Sequence, residues 1–410
     1  MTLDKKELST KFNLLVFVAA LGYFVDVYDI VLFMMVKKQS LMDIGIISKT
    51  DLFDTGIFLH NWQMIGMLVG GIFWGILGDK KGRLKVLFGS IIMYSLANVL
   101  NGFVQDVNTY AVLRFFAGVG LAGELGAGIT LVAETMTKES RGKGTAMVAA
   151  IGVSGAVVAF LVVKLFDWRT SYFVGGGMGF ILLALRFGVY ESAMYENTSH
   201  QNIKKGNFLK LFSNFQESKK YISLILVAVP VWYIVGVIMN QSSQIYEELH
   251  ASFVPEDGKA VMYCYIGLAL GDLCSGILSQ VLKSRKKAML IFIVFSVLTW
   301  ISFFTIAVQS ETLFYICAVA SGFAVGYWAV FITTSAESYG TNLRSTASTT
   351  APNFVRGALT LLLLAFQGLS VSMGKPNAAM IVGVVTYALA FLALYNLKET
   401  FGKDLSYNEE

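Results

Sequence analysis

The chain has 410 residues, of which 55% are hydrophobic and only 14% are charged, and its formal net charge is +5. This composition excludes an ordinary soluble domain, which is near one quarter charged, and a disordered linker protein. With three cysteines and three histidines, the chain also lacks the material for a disulfide-stapled secreted fold or a cysteine–histidine metal site, so neither a metal nor a cofactor is expected.

Twelve apolar runs are each long enough to cross a bilayer, since a spanning helix needs roughly 20 mostly apolar residues. The sequence therefore predicts an all-α membrane protein with twelve transmembrane helices. The first run carries two aspartates and no small-residue cleavage site, which indicates a retained helix rather than a removed signal peptide. Three connections are longer than the others, at 37–56, 191–220 and 244–259. The runs centre on 13–36, 57–77, 86–104, 109–133, 146–166, 171–189, 221–243, 260–282, 288–308, 312–334, 347–372 and 377–397.

Lysine and arginine are distributed unevenly over the connections. With the N-terminus inside, the cytoplasmic segments hold about 22 of the 32 basic residues, as the positive-inside rule requires. The sequence therefore predicts that both termini are cytoplasmic. No contiguous basic face points to a nucleic-acid partner, and no G-x-x-x-x-G-K-[ST] motif points to ATP hydrolysis. The expected partners are the lipid bilayer and a small molecule driven by a gradient.

The two halves of the chain resemble each other. Glu134 aligns with Glu337 and Arg141 with Arg344, both at an offset of 203 residues (337 − 134 and 344 − 141). Duplication of six helices predicts a pseudo-twofold axis along the membrane normal, with a binding site at the midplane between the halves. These four residues are candidates for gating contacts.

The predicted domains are an N-terminal six-helix bundle at 1–195, a cytoplasmic linker at 196–220, and a C-terminal six-helix bundle with a short tail at 221–410. The central segment mixes phenylalanine and leucine with lysine, which favours a basic amphipathic helix on the inner membrane surface. An ordinary solvated linker is the alternative.

The turn between the second and third helices, at 75–85, reads GILGDKKGRLK. Asp79 is placed to meet a helix N-terminus or an arginine across the interface. Such a contact, with Gly82 and Arg83 in the turn, would hold one access state closed. The alternative is a turn whose basic cluster only orients the protein. The motif resembles the hallmark loop of the major facilitator superfamily.

Three further segments extend this resemblance over nearly the whole chain: helix 4 at 114–124 (RFFAGVGLAGE), helix 1 at 22–29 (GYFVDVYD) and the C-terminal segment at 398–405 (KETFGKDL). Together they are similar to the metabolite–proton symporter branch, with sugar porters and phosphate symporters as relatives. The resemblance implies two six-helix bundles that rock about a central site, proton-coupled transport of a small metabolite, and a monomer in a bacterial inner membrane.

Ionisable side chains within spans are costly and are functional candidates. Asp26 and Asp29 share a face of helix 1 at a spacing of i, i+3, and Arg114 lies at a similar level on helix 4. We predict an Asp–Arg pair in which a carboxylate carries the proton and Arg114 tunes it. The alternative is a permanent salt bridge that only joins the two helices.

Glu124 and Arg356 lie at depths that differ by about one helical turn. Arg356, with Asn353 one turn before it, is predicted to bind an anionic substrate. In a second interpretation, Glu124 neutralises Arg356 and releases it only when protonated. A pair without a transport role is the alternative to both.

Helix 7 offers Tyr233, Asn240 and Gln244 as cavity-lining side chains. Asn240 and Gln244 share a face at i, i+4, whereas Gln241 is expected to point elsewhere.

The sequence favours proton-coupled uptake of a small, anionic organic metabolite. A proton-antiporting exporter of drug- or siderophore-like compounds is the rival, and it is disfavoured because helix 5 has glycines but no proline. A transporter-like sensor without turnover is a third hypothesis. No enzyme activity is expected.

Overall fold

The computed structural model describes residues 5–136, 141–186, 205–404 and 407, and within them the side chains from Val16 onward except 133, 135 and 141–143. Helices dominate the described residues, which include no strand. The twelve spans, in chain order, are α1 Lys5–Asp43, α2 Lys49–Lys81, α3 Arg83–Asn101, α4 Val107–Leu121 with Glu124–Thr135, α5 Arg141–Val153 with Gly155–Leu165, α6 Trp168–Leu185, α7 Phe215–Leu226 with Val229–Tyr233, Ile234–Met239 and Ser242–Glu248, α8 Asp257–Val281, α9 Arg285–Thr305, α10 Glu311–Val325 with Trp328–Ser338, α11 Arg344–Met373, and α12 Lys375–Asn396.

Eleven of these spans are long and apolar enough to cross a membrane by length and composition. The remaining one is α6, which spans Trp168–Leu185. The predicted all-α membrane fold is confirmed. We call the end of the bundle that holds the α2–α3 turn and the 338–344 connection the motif face. The opposite end, which holds 43–49 and 248–257, is the vestibule face.

The two halves meet chiefly through α2 against α11 and through α5 against α8. Glycines on α2 make the first of these contacts close. A Cβ atom added at Gly71 would lie 2.9 Å from the Cβ of Asn353, and one added at Gly75 would lie 3.1 Å from the Cα of Thr346. Small residues of this kind allow helix backbones to approach each other inside a membrane. The α2–α11 crossing therefore brings the two halves together near the motif face.

The predicted long connection at 37–56 is wrong, because only residues 44–48 separate α1 from α2. Contacts with the opposite half hold the added helical turns. Lys37, in α1, donates to the carbonyl oxygen of Asn240 at 3.1 Å, and Lys49, the first residue of α2, lies 3.2 Å from Glu247.

The described residues 205–214 of the linker contain a short 3₁₀ helix, Phe208–Phe212, where an amphipathic α-helix was predicted, whereas residues 215–220 are α-helical as the start of α7. The rings of Phe208 and Phe212 pack against Tyr221 of α7. This contact removes apolar surface from water, which stabilises the packed position. Residues 191–204 of the predicted helix lie outside the described residues. The span α7 begins at Phe215, six residues before the predicted boundary.

Two spans are interrupted at equivalent places in the halves, α4 at Ala122–Gly123 and α10 at Gly326–Tyr327. An interrupted helix leaves backbone groups without intrahelical partners. Asn353 donates to the carbonyl of Ala122 at 2.8 Å, and Asp272 accepts from the backbone N–H of Ala329 at 2.8 Å. Both interruptions are therefore capped by polar side chains from other helices.

Candidate functional site

The motif face is closed by Asp79. Its carboxylate accepts hydrogen bonds from the backbone N–H groups of Ser345 (3.0 Å) and Thr346 (2.8 Å) and from the hydroxyl of Thr346 (2.7 Å). These groups form the first turn of α11, where the helix dipole favours a negative charge. The predicted contact of Asp79 with a helix N-terminus is present, and it joins the first half to the second.

Glu134 sits between two arginines at the same face. Its Oε1 accepts from Arg83 at 2.9 Å and from Arg344 at 3.0 Å, and all three side chains are fully buried. Because Arg83 belongs to the first half and Arg344 to the second, this cluster also crosses the interface. Arg83 donates further to the carbonyl of Thr341 at 3.3 Å. The turn before Arg83 needs a glycine, since Gly82 has a φ of +101°.

The second half contains the counterpart of the Arg83–Glu134 pair. Arg285 at the start of α9 lies 3.0 Å from Glu337, and both are buried. Glu337 also accepts a hydrogen bond from the hydroxyl of Thr400 at 2.9 Å, within its own half. The side chain of Arg141, the remaining predicted gating residue, lies outside the described residues. The repeat seen in the sequence thus corresponds to equivalent ion pairs.

Glu399 caps α9 next to this pair. It accepts from the hydroxyl of Ser284 at 2.5 Å and from the backbone N–H of Arg285 at 2.9 Å. Partial burial acts to raise the pKa of Glu399, but these hydrogen bonds outweigh burial, so its pKa lies below its usual range.

Hydroxyl groups line the remainder of the closed interface. Thr130 of α4 and Ser348 of α11 are 2.5 Å apart, and Thr145 of α5 and Thr333 of α10 are 2.7 Å apart. All four are buried. The linker contacts the connection at 340–343 as well: the backbone N–H of Gly206 donates to the carbonyl of Asn342 at 3.0 Å.

An ion pair between the halves lies at the centre of the bundle. Arg356 of α11 places Nη2 3.3 Å from Oδ2 of Asp26 in α1, and their exposed fractions are 1% and 0%. A second nitrogen of Arg356 donates to Oδ1 of Asn353 at 3.4 Å. Oδ1 of Asp26 and Nε of Arg356 have no hydrogen-bond partner within the described residues. The pair therefore keeps unused donor and acceptor capacity.

Aromatic side chains surround this pair. The guanidinium of Arg356 lies 5.9 Å from the ring centroid of Trp232. Tyr23, one turn before Asp26 on α1, accepts a hydrogen bond from the indole of Trp328 at 3.0 Å. Tyr23, Trp232 and Trp328 were not among the predicted site residues. The spacing of Tyr23 and Asp26, at i, i+3, is the signal that was available for one of them.

Tyr233 was predicted to line the cavity, and that prediction is wrong. Its hydroxyl donates to the carbonyl of Ala379 at 2.7 Å and accepts from the indole of Trp300 at 2.8 Å, so it faces α9 and α12. Consecutive residues point about 100° apart on a helix, which turns Trp232 toward the centre and Tyr233 away from it.

Depth along the helices suggested that Glu124 faces Arg356, and that expectation is wrong. It forms an ion pair with Arg186, at the end of α6, in which Oε2 accepts from Nη1 at 3.1 Å. Arg186 also donates to the carbonyl of Leu87 at 2.8 Å. Gly22 of α1 leaves the space for this pair, since an added Cβ there would collide with both charged groups. The pair lies inside the first half.

Among the described residues, no arginine nitrogen lies within 4.0 Å of the Asp29 carboxylate, and Asp26 pairs with Arg356, so the predicted ion pair with Arg114 is not formed. Arg114 instead donates to the hydroxyl of Tyr172 at 3.3 Å and stacks 5.5 Å from the ring centroid of Phe33. Both oxygens of Asp29 lack a hydrogen-bond partner among the described residues. The aromatic contacts hold Arg114 away from the carboxylate.

A cavity of about 440 Å³ opens at the vestibule face between the halves. Asn240 and Gln244 both line it, as predicted, and so does Gln241. The expectation for Gln241 fails because the i, i+4 rule assumes a regular α-helix, whereas α7 passes through a π-helix at Ile234–Met239 and restarts at Ser242.

These features define an arrangement for carrying a molecule between two compartments. Helix-terminus contacts and buried ion pairs close the motif face, a cavity opens at the other face, and a charged pair shared by the halves is buried between them. A carboxylate and a guanidinium that depend on each other at such a place can exchange partners with a proton and an anion.

Comparisons with known proteins agree with this geometry. The sequence profile of the Major Facilitator Superfamily matches residues 14–351. A protein of Cupriavidus pinatubonensis named "Probable 4-methylmuconolactone transporter" is 26% identical over 93% of this chain and 89% of its own length. The sialic acid transporter NanX of Escherichia coli is 25% identical over 73% of each chain. The structure of the proton:xylose symporter XylE superposes with a TM-score of 0.75 at 15% identity, over 97% of this chain and 98% of that one.

Proposed function

Because the chain belongs to the Major Facilitator Superfamily, it is a multi-pass membrane transporter and not an enzyme, and we propose that it takes up a small organic anion together with protons by alternating access. The observation that carries the proposal is the buried pair of Asp26 and Arg356, one from each half, 3.3 Å apart. The named substrates of the relatives support a metabolite as the cargo, and export by proton antiport is not favoured.

In this proposal Asp26 and the substrate compete for Arg356. A buried arginine without a counter-ion is strongly destabilising, so the empty carrier needs Asp26 ionised. When Asp26 takes up a proton, Arg356 loses its counter-ion and becomes available to the carboxylate of a substrate. Proton and anion therefore enter together, because either one alone leaves a buried charge unpaired.

The surrounding groups fit an organic anion. Arginine binds a carboxylate through two parallel hydrogen bonds, and Arg356 has an unpaired Nε among the described residues. Asn353 orients the guanidinium through its Oδ1, and Trp232 offers a flat apolar wall beside it. Asp29 and Arg114 provide a second carboxylate and cation within α1 and α4 that would set the proton affinity of the site.

We further propose that the motif face is cytoplasmic and that the halves at 1–195 and 221–410 rock as units about the centre. Asp79, Glu134 and Arg344 hold the inward side closed in the present conformation, and Arg141 and Glu337 belong to the same set of gating residues. A monomer in a bacterial inner membrane, with both termini inside, is the expected state. The bacterial sources of the relatives support that location.

Uptake into proteoliposomes under an imposed pH gradient tests the proposal. We expect wild-type protein to accumulate a radiolabelled organic acid when the outside is more acidic. Asp26→Asn should lose gradient-driven accumulation by at least about tenfold yet keep exchange of labelled for unlabelled substrate, and Arg356→Gln should lose both.

The matched control is Asp43→Asn, on the same helix, because Asp43 lies at the vestibule face and pairs with Arg169 in an exposed position. This variant should transport like wild type. Accumulation that ignores the pH gradient, or an Asp26→Asn variant that still follows it, would show that the proton assignment is wrong.

A further inference from the structure

The cavity at the vestibule face has the composition of an anion site. Lysines outnumber carboxylates in its lining, which includes Lys37, Lys38, Lys49 and Lys375 against Glu247 and Asp257. Apolar side chains complete the walls, among them Phe53, Ile57 and Leu363. Its volume of about 440 Å³ falls in the range of small-molecule pockets, roughly 300–1,000 Å³.

Lys37 is the cation best placed to anchor a ligand. Its ammonium donates to the backbone and side-chain oxygens of Asn240 at 3.1 and 3.2 Å, and its third donor faces Asp257 at a long 3.9 Å. Asp257 does not depend on Lys37, because Ser242 and Ser243 donate three hydrogen bonds to it at 2.8–3.0 Å. An ammonium has three donors. The donor of Lys37 that faces Asp257 at this long distance can therefore turn to an incoming carboxylate.

Two buried polar groups in the lining have no partner among the described residues. They are Nε2 of His60, in a side chain 3% exposed, and Oε1 of Gln241, in a side chain 2% exposed. Buried polar atoms are nearly always satisfied by protein, water or ligand. Both residues belong to the cavity lining, and the unpartnered ring nitrogen of His60 is an observation independent of the lysines.

This cavity is separate from the central pair. Lys37 lies eleven residues beyond Asp26 along α1, about 16 Å at a rise of 1.5 Å per residue. Asp26 and Arg356 are not among the residues that line the cavity. A solute in the cavity would therefore occupy a different site from one bound at Arg356.

We propose that the vestibule cavity is a first binding site for the organic anion, where Lys37 holds the carboxylate, His60 donates to it, and Phe53, Ile57 and Leu363 cover an apolar body. The proposal rests on the proposed function, since it names the same class of substrate. It adds that small organic carboxylates with an apolar body bind at the vestibule face before they reach Arg356.

Equilibrium binding of radiolabelled benzoate to the full chain in lipid nanodiscs tests the site. The decisive background is Arg356→Gln, which removes the central cation. We expect this variant to bind benzoate, and the double variant Arg356→Gln/Lys37→Gln to bind it at least tenfold more weakly. Arg356→Gln/Lys37→Arg should bind normally because the charge is kept.

Lys259→Gln in the same background is the control, since Lys259 pairs with Glu311 and is not part of the lining. Thermal unfolding of each variant verifies that it is folded. Absence of benzoate binding to Arg356→Gln, or equal binding to Arg356→Gln and to Arg356→Gln/Lys37→Gln, overturns the vestibule site. Neither result depends on transport, so failure of this site and failure of proton-coupled uptake are distinguishable.

Discussion

Glu134 of the first half and Arg344 of the second are joined across the closed motif face, with Oε1 and Nη1 3.0 Å apart and both side chains fully buried. Separation of the halves at this face therefore breaks a buried ion pair. Because Arg83 donates to the same oxygen, opening the face leaves Glu134 with a partner in its own half. The contact can therefore release without stranding a carboxylate.

Glu134→Gln is expected to shift the population toward an open motif face. Loss of one partner from a buried ion pair costs about 3–5 kcal/mol. Only the contact with Arg344 distinguishes the closed from the open face, because Arg83 stays next to residue 134 in both states. A cysteine introduced at Ser348, in a chain whose three native cysteines are replaced, should react with a maleimide at least about tenfold faster in this variant. Glu311→Gln, an exposed carboxylate at the vestibule face, is the control. Equal labelling rates would contradict a gating role for Glu134.

The equivalent arginines of the two halves should differ in their effects. Arg83 reaches across the interface to Thr341 at 3.3 Å, whereas Arg285 donates to Glu337 and to Ser279 at 2.7 Å within its own half. Both Arg83→Gln and Arg285→Gln are expected to lower the unfolding temperature, because each leaves a buried glutamate short of a partner.

Only Arg83→Gln should also raise maleimide labelling at the motif face. The measurement pairs a thermal melt with the labelling rate for each variant. If Arg285→Gln raised labelling as much as Arg83→Gln did, a general loosening of the bundle, and not gating, would explain both.

The Glu124–Arg186 pair is expected to act in stability and not in ion coupling. Glu124→Gln should destabilise the protein by about 3–5 kcal/mol, since it leaves Arg186 buried without its counter-ion. The double variant Glu124→Gln/Arg186→Met should recover much of this loss, and a double-mutant cycle of unfolding free energies measures the coupling. Retained gradient-driven uptake in the double variant is the expected functional result. Loss of proton coupling there would return Glu124 to the coupling site.

Glu399 provides a pH-dependent prediction outside the spans. Its pKa is held below the usual range by Ser284 and the N-terminus of α9, so its contribution to stability is present above the unfolded pKa, near 4.3, and is lost as the pH falls through the lower folded value. Glu399→Gln should therefore lower stability by about 1 kcal/mol, the usual effect of losing a helix cap. The difference from wild type should persist at pH 5 and shrink as the pH falls below about 4. A difference that stayed constant down to pH 3 would mean that the charge of Glu399 plays no part.

The sequence allowed the fold to be predicted because the signals for it are local. Apolar runs mark the spans, and the 203-residue offset between Glu134 and Glu337 marks the repeat. The contact of Asp79 with a helix N-terminus was one of two partners that its charge predicted, whereas the identity of that helix, α11 of the other half, came only from the structure.

The partners of the intramembrane charges were predicted less well, because depth along a helix does not give the direction in which a side chain points. Glu124 and Arg356 lie at similar depths but face different neighbours, Arg186 and Asp26. The space beside Gly22, which admits the Glu124–Arg186 pair, depends on how α1 packs and is not visible in one sequence. The π-helix in α7 likewise changed which side chains line the cavity.

The hydroxyl contacts along α4, α5, α10 and α11 have a consequence for the speed of the cycle. This interface contains hydroxyl pairs, which are neither apolar nor ionic: Thr130 with Ser348, and Thr145 with Thr333. When the interface opens, each hydroxyl can replace its protein partner with a water molecule at little net change in hydrogen bonding. Such a surface is hydrated and dehydrated at low cost, so we expect it to separate faster than an apolar interface would.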